Sequence, residues 1–267
     1  MEFLSPVALE KPTVCDFLED TYLFSRSGVR VVDVKALGSG AVELKFGSHV
    51  VVMESTCFHP QGGGQPADQG TITVGDITFE VGMVKLVNGV VLHYCSTKAD
   101  FGEEALQSLI GGTAEQQVDE THRREVAALH SAGHLIDVAM DRLGLLGDEL
   151  VATKGYHFKD GPFVEFQGSM DQVLAELPAK LNEVLRELVE ADIPTTVELL
   201  SRDDAGTKCG CDTSTYPPQV RVVSVGDRPC PCGGTHIKST KDLGCVNVTK
   251  VKKKKNVYKV SYSVGAE

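Results

Sequence analysis

The sequence predicts an α+β protein: a small N-terminal β-barrel over residues 1–105, then an α+β domain over residues 106–267 with helices packed on an antiparallel sheet. Three observations carry this. Short segments rich in β-branched residues follow one another from Gly28 to about Cys95, punctuated by Gly, Ser and Asn, as in a small barrel or sandwich. Two amphipathic helical stretches come next, and the tail returns to strands. At 267 residues the chain is long for one core and comfortable for two, since a domain usually holds roughly 100–200 residues.

In chain order, the strands of the first domain read GVRVVDVKAL, AVELKFG, HVVVMES, GTITV, DITFEVGMVKLV and GVVLHYC. GSGA and VNGV are tight turns, the second centred on Asn88-Gly89, a pair suited to two-residue hairpins. Between the third and fourth strands runs HPQGGGQPADQG, His59 to Gly70. Its glycines Gly62, Gly63 and Gly64 weaken a strand and let backbone approach something else closely. Pro66-Ala67-Asp68 then favours a rigid turn over a floppy tip. The chain becomes polar between Thr97 and Gly112, and the domain boundary is placed there.

Asp119 to Leu143 is helical by period, with Val126, Leu129, Gly133, Leu135–Ile136, Ala139–Met140 and Leu143 at three- and four-residue spacings. Gly144 supplies a C-cap. HFKDGPFVEFQG reads as two short strands around Asp160-Gly161. A second helix opens with a capping box at Ser169-Met170-Asp171-Gln172. Val173, Leu174, Leu177, Leu181, Val184, Leu185 and Leu188 form its apolar face, and Ile193-Pro194 ends it. TTVELL, VRVVSV, GCVNVTKVK and NVYKVSYSV complete the strands, the last two flanking a lysine turn.

No apolar run approaches the ~20 residues that cross a bilayer, so no membrane partner is expected. The start, MEFLSPVALEKPT, lacks the basic segment and apolar core of a secretory signal. A cytoplasmic location is expected, where the eight cysteines are thiols or metal ligands. Cys15, Cys57, Cys95 and Cys245 read as small buried hydrophobes. The net charge of −11 opposes indiscriminate binding to nucleic acid. Against that background Lys250 to Lys259, KVKKKKNVYK, is the densest basic run. It is either a solvated hairpin tip or the place where a polyanion docks through Lys252, Lys253, Lys254 and Lys255.

The chemistry concentrates in two motifs. HSAGH puts His130 and His134 one helical turn apart on one face, where both can reach one metal. A zinc peptidase would need Glu directly after the first His as general base; Ser131 stands there, and the peptidase reading fails. The second motif, CGGTH, carries Cys232 and His236 across a double glycine that lets the backbone fold back on one ion. The two pairs make a Cys-His₃ set, which suits one zinc per chain better than an oxygen-seeking magnesium or calcium. Cys209, Cys211 and Cys230 could compete as ligands. Cys209 and Cys211 are tightly spaced for one tetrahedral ion, and Cys230 lacks the glycine-bridged histidine.

HSAGH followed about a hundred residues later by CGGTH, and preceded by GGGQPADQG, resembles the editing module of alanyl-tRNA synthetases from about Gly28 onward. The length and the GGGQ-bearing β-domain point to the freestanding alanyl-tRNA editing proteins of the AlaX type. That family usually has a residue such as Thr or Leu where Gly133 stands, a departure between the ligands that does not touch them. The resemblance implies a hydrolase that removes serine, and secondarily glycine, from tRNA for alanine. It also implies a chain without an aminoacylation core, which therefore does not charge tRNA.

On the same resemblance, the Gly62–Gln65 loop faces the editing pocket, its backbone amides meeting the tRNA 3′ end and Gln65 hydrogen-bonding there. Thr153 and Lys154 fall near where the family places groups that sense the amino-acid side chain; a surface loop is the plain alternative for Thr153. Zinc can lower the pKa of a water it binds, yet four protein ligands normally close a structural site. Either one ligand gives way, or the metal positions the aminoacyl end. Two other functions stay open: a non-catalytic zinc module that binds tRNA ends, and a deacylase for another seryl-tRNA.

Overall fold

The computed structural model describes residues 11–98, 101–147, 149–170 and 174–265. The fold is α+β and divides into two compact units. One comprises the chain through Gly62 with Pro66–Arg123; the other comprises Gly63–Gln65 with the residues from Arg124 onward.

The first unit contains β1 (Val14–Cys15), β2 (Ser25–Ala36), β3 (His49–Met53), β4 (Ser55–Thr56), β5 (Gly70–Val74), β6 (Ile77–Val87), β7 (Val90–Ser96), α1 (Glu103–Gln107) and β8 (Thr113–Val118). Six antiparallel strands close a barrel in the order β2-β3-β7-β6-β5-β8. Its last strand lies beyond residue 105, because the sheet closes only when β8 pairs with both β5 and β2. Val31, Val51, Met53, Ile72, Phe79 and Val91 fill its core. Val50, Val52 and Leu92 pack in a second cluster. β3 is thus buried on both faces, and its run HVVVM is apolar without alternation. The β6–β7 turn has φ of 51° at Asn88 and 83° at Gly89, as the Asn-Gly pair predicts.

The expected strand AVELKFG is instead a 3₁₀ turn, Val42–Phe46. Its backbone amides reach three residues back, Ala41 N to Gly38 O at 2.9 Å and Leu44 N to Ala41 O at 3.2 Å. Val42 stands 79% exposed, so the segment lacks the buried face that would hold it in a sheet. The Pro66-Ala67-Asp68 turn is rigid for a reason the sequence hides. Asp68 is fully buried and pairs with Arg123, which is 1% exposed. Arg123 also donates to Cys57 O at 2.6 Å and Thr21 O at 2.8 Å, and Asp68 accepts from His59 N at 2.5 Å. Two buried charges persist only when paired and hydrogen-bonded in this way. Cys57 and Cys95 are fully buried, and burial pushes the Cys57 thiol up to about 12.

Helix α2 (Glu120–Arg142) ends before Gly144, whose φ of 68° fits the expected C-cap. Then follow β9 (Leu150–Tyr156), β10 (Phe163–Gly168), α3 (Leu177–Glu190), β11 (Thr196–Ser201), α4 (Arg202–Cys209), β12 (Gln219–Val225), β13 (Arg228–Pro231), β14 (Val246–Lys254) and β15 (Val257–Val264). Sheet β14-β15-β10-β9 is antiparallel throughout, and β11-β12-β13 forms a smaller antiparallel sheet. Leu135, Ile136 and Met140 of α2 and Leu177, Leu181, Leu185 and Leu188 of α3 share one core with Phe166, Val248, Tyr258 and Val260 of the sheet. The strand expected at HFK lies earlier, on LVATKGY, and α3 starts at Leu177 with Pro in its first turn. Asp171, Gln172 and Val173 of the expected capping box and apolar face lie outside the described residues. Among the described residues no helix is long and apolar enough to cross a membrane.

Candidate metal centre

All the groups of this site belong to the second unit. Helix α2 brings His130 and His134 together as their spacing requires, with Nε2 atoms 3.2 Å apart. The loop after β13 places Cys232 Sγ 3.6 Å from His130 Nε2. The His236 ring centroid lies 4.6 Å from that of His130 and 5.1 Å from that of His134. One donor atom from each of the four residues lies within 4.8 Å of all the others.

The loop has little freedom to place them elsewhere. Arg221 Nη1 donates to Cys232 O at 2.6 Å and to Gly234 O at 3.1 Å. A Cβ at Gly234 would overlap the His130 ring and the Gln65 carboxamide, so only glycine lets the loop lie so close. Ser131 Oγ accepts from Ile237 N at 3.1 Å and lies 3.4 Å from His236 Nδ1. The residue that rules out peptidase chemistry therefore anchors the second motif to the first.

Gln65 is fully buried. Its Nε2 donates to Thr235 Oγ1 at 2.7 Å, and its Oε1 accepts from Thr235 N at 3.0 Å. His130 Nδ1 lies 2.7 Å from the same Oε1. An amide oxygen only accepts, so the proton sits on Nδ1 and the Nε2 lone pair faces the other donors.

A soft divalent ion fits this set. Zinc bond lengths of about 2.0–2.3 Å make the edges of a tetrahedron roughly 3.3–3.8 Å, close to the 3.2 Å and 3.6 Å separations seen here. Burial lowers the His134 pKa to about 4, keeping the imidazole neutral as a ligand must be. Burial raises the Cys232 thiol, opposed by the Gly234 N–H and Arg221. Cys230 does not join the set: its Sγ lies 3.3 Å from His134 Nδ1, on the other nitrogen of that ring. Cys209 packs partly against the small α4 cluster, and Cys211 is exposed.

The other sequence candidates fall as follows. Gly62 and Gly63 are exposed; Gly64 is half-buried and accepts from His157 N at 2.9 Å. Thr153 is exposed on β9, its hydroxyl donating to Glu165 O at 3.1 Å. Lys252, Lys253, Lys254 and Lys255 are exposed at the β14–β15 turn. Sequence reasoning missed the roles of Ser131, Arg221 and Gln65 as supports, and missed His157 entirely. His157 is 4% exposed, with its ring stacked on His130 at 4.9 Å and 29°. Its one sequence signal is an isolated histidine between aromatic residues of a strand-like run.

Comparison with known proteins agrees with the geometry. Residues 220–259 match the family model for the threonyl and alanyl tRNA synthetase second additional domain, and residues 22–119 match that for class II (A) tRNA synthetases. An alanine–tRNA ligase of Halorubrum lacusprofundi is 35% identical over 206 residues, 75% of this chain and 21% of that protein. One from Methanobrevibacter smithii is 30% identical over 85% of this chain and 25% of its own length. The alanyl-tRNA editing protein AlaX-L of Pyrococcus horikoshii is 27% identical over 80% of this chain and 51% of its own. The chain thus spans between a fifth and a half of the length of these relatives. Matched motifs, domain models and relatives together make the chain similar to the AlaX-type alanyl-tRNA editing proteins and to the corresponding region of alanine–tRNA ligases.

Proposed function

We propose that this protein is a zinc-dependent aminoacyl-ester hydrolase that clears serine, and less efficiently glycine, from tRNA for alanine. The observation that carries it is the convergence of His130, His134, Cys232 and His236 within 4.8 Å, in a chain whose relatives include a protein named for alanyl-tRNA editing. These four residues would hold one zinc, which would supply positive charge beside the ester carbonyl during hydrolysis.

The remaining work belongs to the chain. Gln65 and Thr235 fix the His130 tautomer, and Arg221 and Ser131 fix the loop that carries Cys232 and His236. The exposed Gly62–Gly63 backbone is available to the tRNA 3′ end, and Lys252–Lys255 to acceptor-stem phosphates, which position without reading sequence. Closure by four protein donors also favours a second reading, a structural zinc module that binds tRNA ends without turnover.

The test is a deacylation time course with serine-, glycine- and alanine-charged tRNA for alanine, and with serine on its own tRNA. Serine on tRNA for alanine should be released fastest and alanine spared. Equal rates on serine and alanine would refute editing; no turnover would favour the binding module. Release of serine from both tRNAs alike would make it a general seryl-tRNA deacylase.

A further inference from the structure

Alanine is smaller than serine, so size cannot exclude it from a pocket that admits serine. Selection has to come from the hydroxyl, through a buried group left unpaired when alanine enters. That hydroxyl is three bonds from the ester carbonyl carbon, so the sensing group has to lie against the groups that handle the carbonyl. Thr153 is exposed and bonded to Glu165 O. The Gln65 carboxamide oxygen and Ser131 Oγ are engaged inside the site.

His157 meets the requirement. Its ring is buried and stacked on the ring of His130. It occupies space that two glycines leave open, since a Cβ at Gly133 or at Gly155 would overlap the imidazole. Gly133, between the two ligand histidines, is therefore one of the two positions that admit the His157 ring.

The protonation of that ring follows from its partners. Tyr262 Oη donates its single proton to Leu129 O at 2.8 Å. His157 Nδ1 lies 2.7 Å from the same Oη. With the phenol proton already spent, Nδ1 has to be the donor, and Nε2 carries the lone pair. Nε2 has no hydrogen-bond partner among the described residues. An acceptor of fixed tautomer, on a buried ring beside a ligand histidine, is what a hydroxyl sensor requires.

We propose that His157 is the specificity-determining residue for serine, its Nε2 accepting the hydrogen bond of the serine side-chain hydroxyl. This rests on the editing reading and names the group that makes it selective. Alanine and glycine both leave Nε2 unpaired, so this contact favours serine over both, and the release of glycine over alanine rests on glycine's smaller size.

The experiment uses non-hydrolysable seryl and alanyl amides of 3′-amino-3′-deoxyadenosine, with zinc content measured on every variant. Wild type should bind the seryl compound at least ~10-fold more tightly than the alanyl one, given that sites of this kind reach ~10⁴-fold. His157→Leu should bring the ratio to about one with zinc retained. His157→Gln, whose carboxamide oxygen can accept, should restore part of it. Tyr262→Phe, which removes the acceptor that fixes the tautomer, should lower the ratio several-fold. In the free wild-type protein, ¹⁵N NMR should show His157 Nε2 unprotonated, and its resonance should move with the seryl compound and not with the alanyl one.

A ratio unchanged in His157→Leu with zinc retained, or a proton found on Nε2, overturns the assignment while leaving editing intact. Wild-type protein that hydrolyses serine and alanine esters equally removes the editing reading itself. Should His157→Leu fail to fold, Tyr262→Phe and the wild-type NMR measurement still decide the matter.

Discussion

His130 Nδ1 lies 2.7 Å from Gln65 Oε1, and this hydrogen bond settles which ring nitrogen faces the other three donors. Outer partners of this kind commonly change metal affinity by ~10–100-fold. Gln65→Ala should therefore bind zinc about 10–100-fold more weakly in a chelator competition. Gln65→Glu keeps an acceptor for His130 Nδ1 and Thr235 N and should lose much less. Equal affinity in wild type and Gln65→Ala would show that Thr235 and the loop suffice to orient the ring.

The choice between two cysteines is equally open to measurement. Cys232 Sγ faces His130 Nε2 at 3.6 Å, whereas Cys230 Sγ meets His134 Nδ1 at 3.3 Å. Purified Cys232→Ala should lose most of its zinc, and Cys230→Ala should keep about one ion per chain with modestly reduced affinity. Full metal content in Cys232→Ala would sink the ligand assignment.

How far these features are legible in the sequence follows from how local they are. The helical period alone sets His130 beside His134, and the Asn88-Gly89 turn is fixed by the backbone preferences of those two residues. Gln65 is different: its partners His130 and Thr235 lie 65 and 170 residues away, and no periodicity reports such pairings. Strand β8 is hidden by composition. TAEQQV is polar, yet Ala114, Gln116 and Val118 point inward, and Gln116 bonds to Cys57 N and Ser55 O, both at 2.9 Å. AVELKFG misleads in the opposite sense, since its apolar alternation imitates a strand although Val42 and Leu44 stay exposed and only Ala41 and Phe46 pack against the barrel.

The lysine turn tests RNA binding. Lys252, Lys253, Lys254 and Lys255 are exposed, three on β14 and the last with φ of 57° at the turn. If they meet phosphates, replacing all four with Ala weakens tRNA binding. The slope of log affinity against log salt then flattens by close to one unit for each phosphate no longer neutralised. Hydrolysis of substrate already bound should change little. Affinity and slope both unchanged would make the run a solvated turn.

Acid sensitivity of the barrel should trace to His93. The residue is fully buried, its Nε2 2.8 Å from Thr56 Oγ1 and its Nδ1 3.0 Å from Val51 O. Burial lowers its pKa from 6.5 to about 4, the Val51 carbonyl opposing only in part. Above the unfolded value both states hold a neutral ring, and the group leaves stability independent of pH. Between that value and about 4 the unfolded chain binds a proton that the folded chain refuses. Stability therefore falls as the pH drops through this window and rises again with pH. The full shift corresponds to about 3 kcal/mol, taking ~1.4 kcal/mol per pKa unit. His134 and His157 are lowered by burial as well and add to the total slope. The comparison that isolates His93 is urea denaturation of wild type and His93→Gln at several pH values from 7 down to 4. The variant should begin less stable at pH 7, having lost a fitted side chain, and its stability should then decline less steeply with acid. Parallel curves for the two proteins would assign the acid response to other groups.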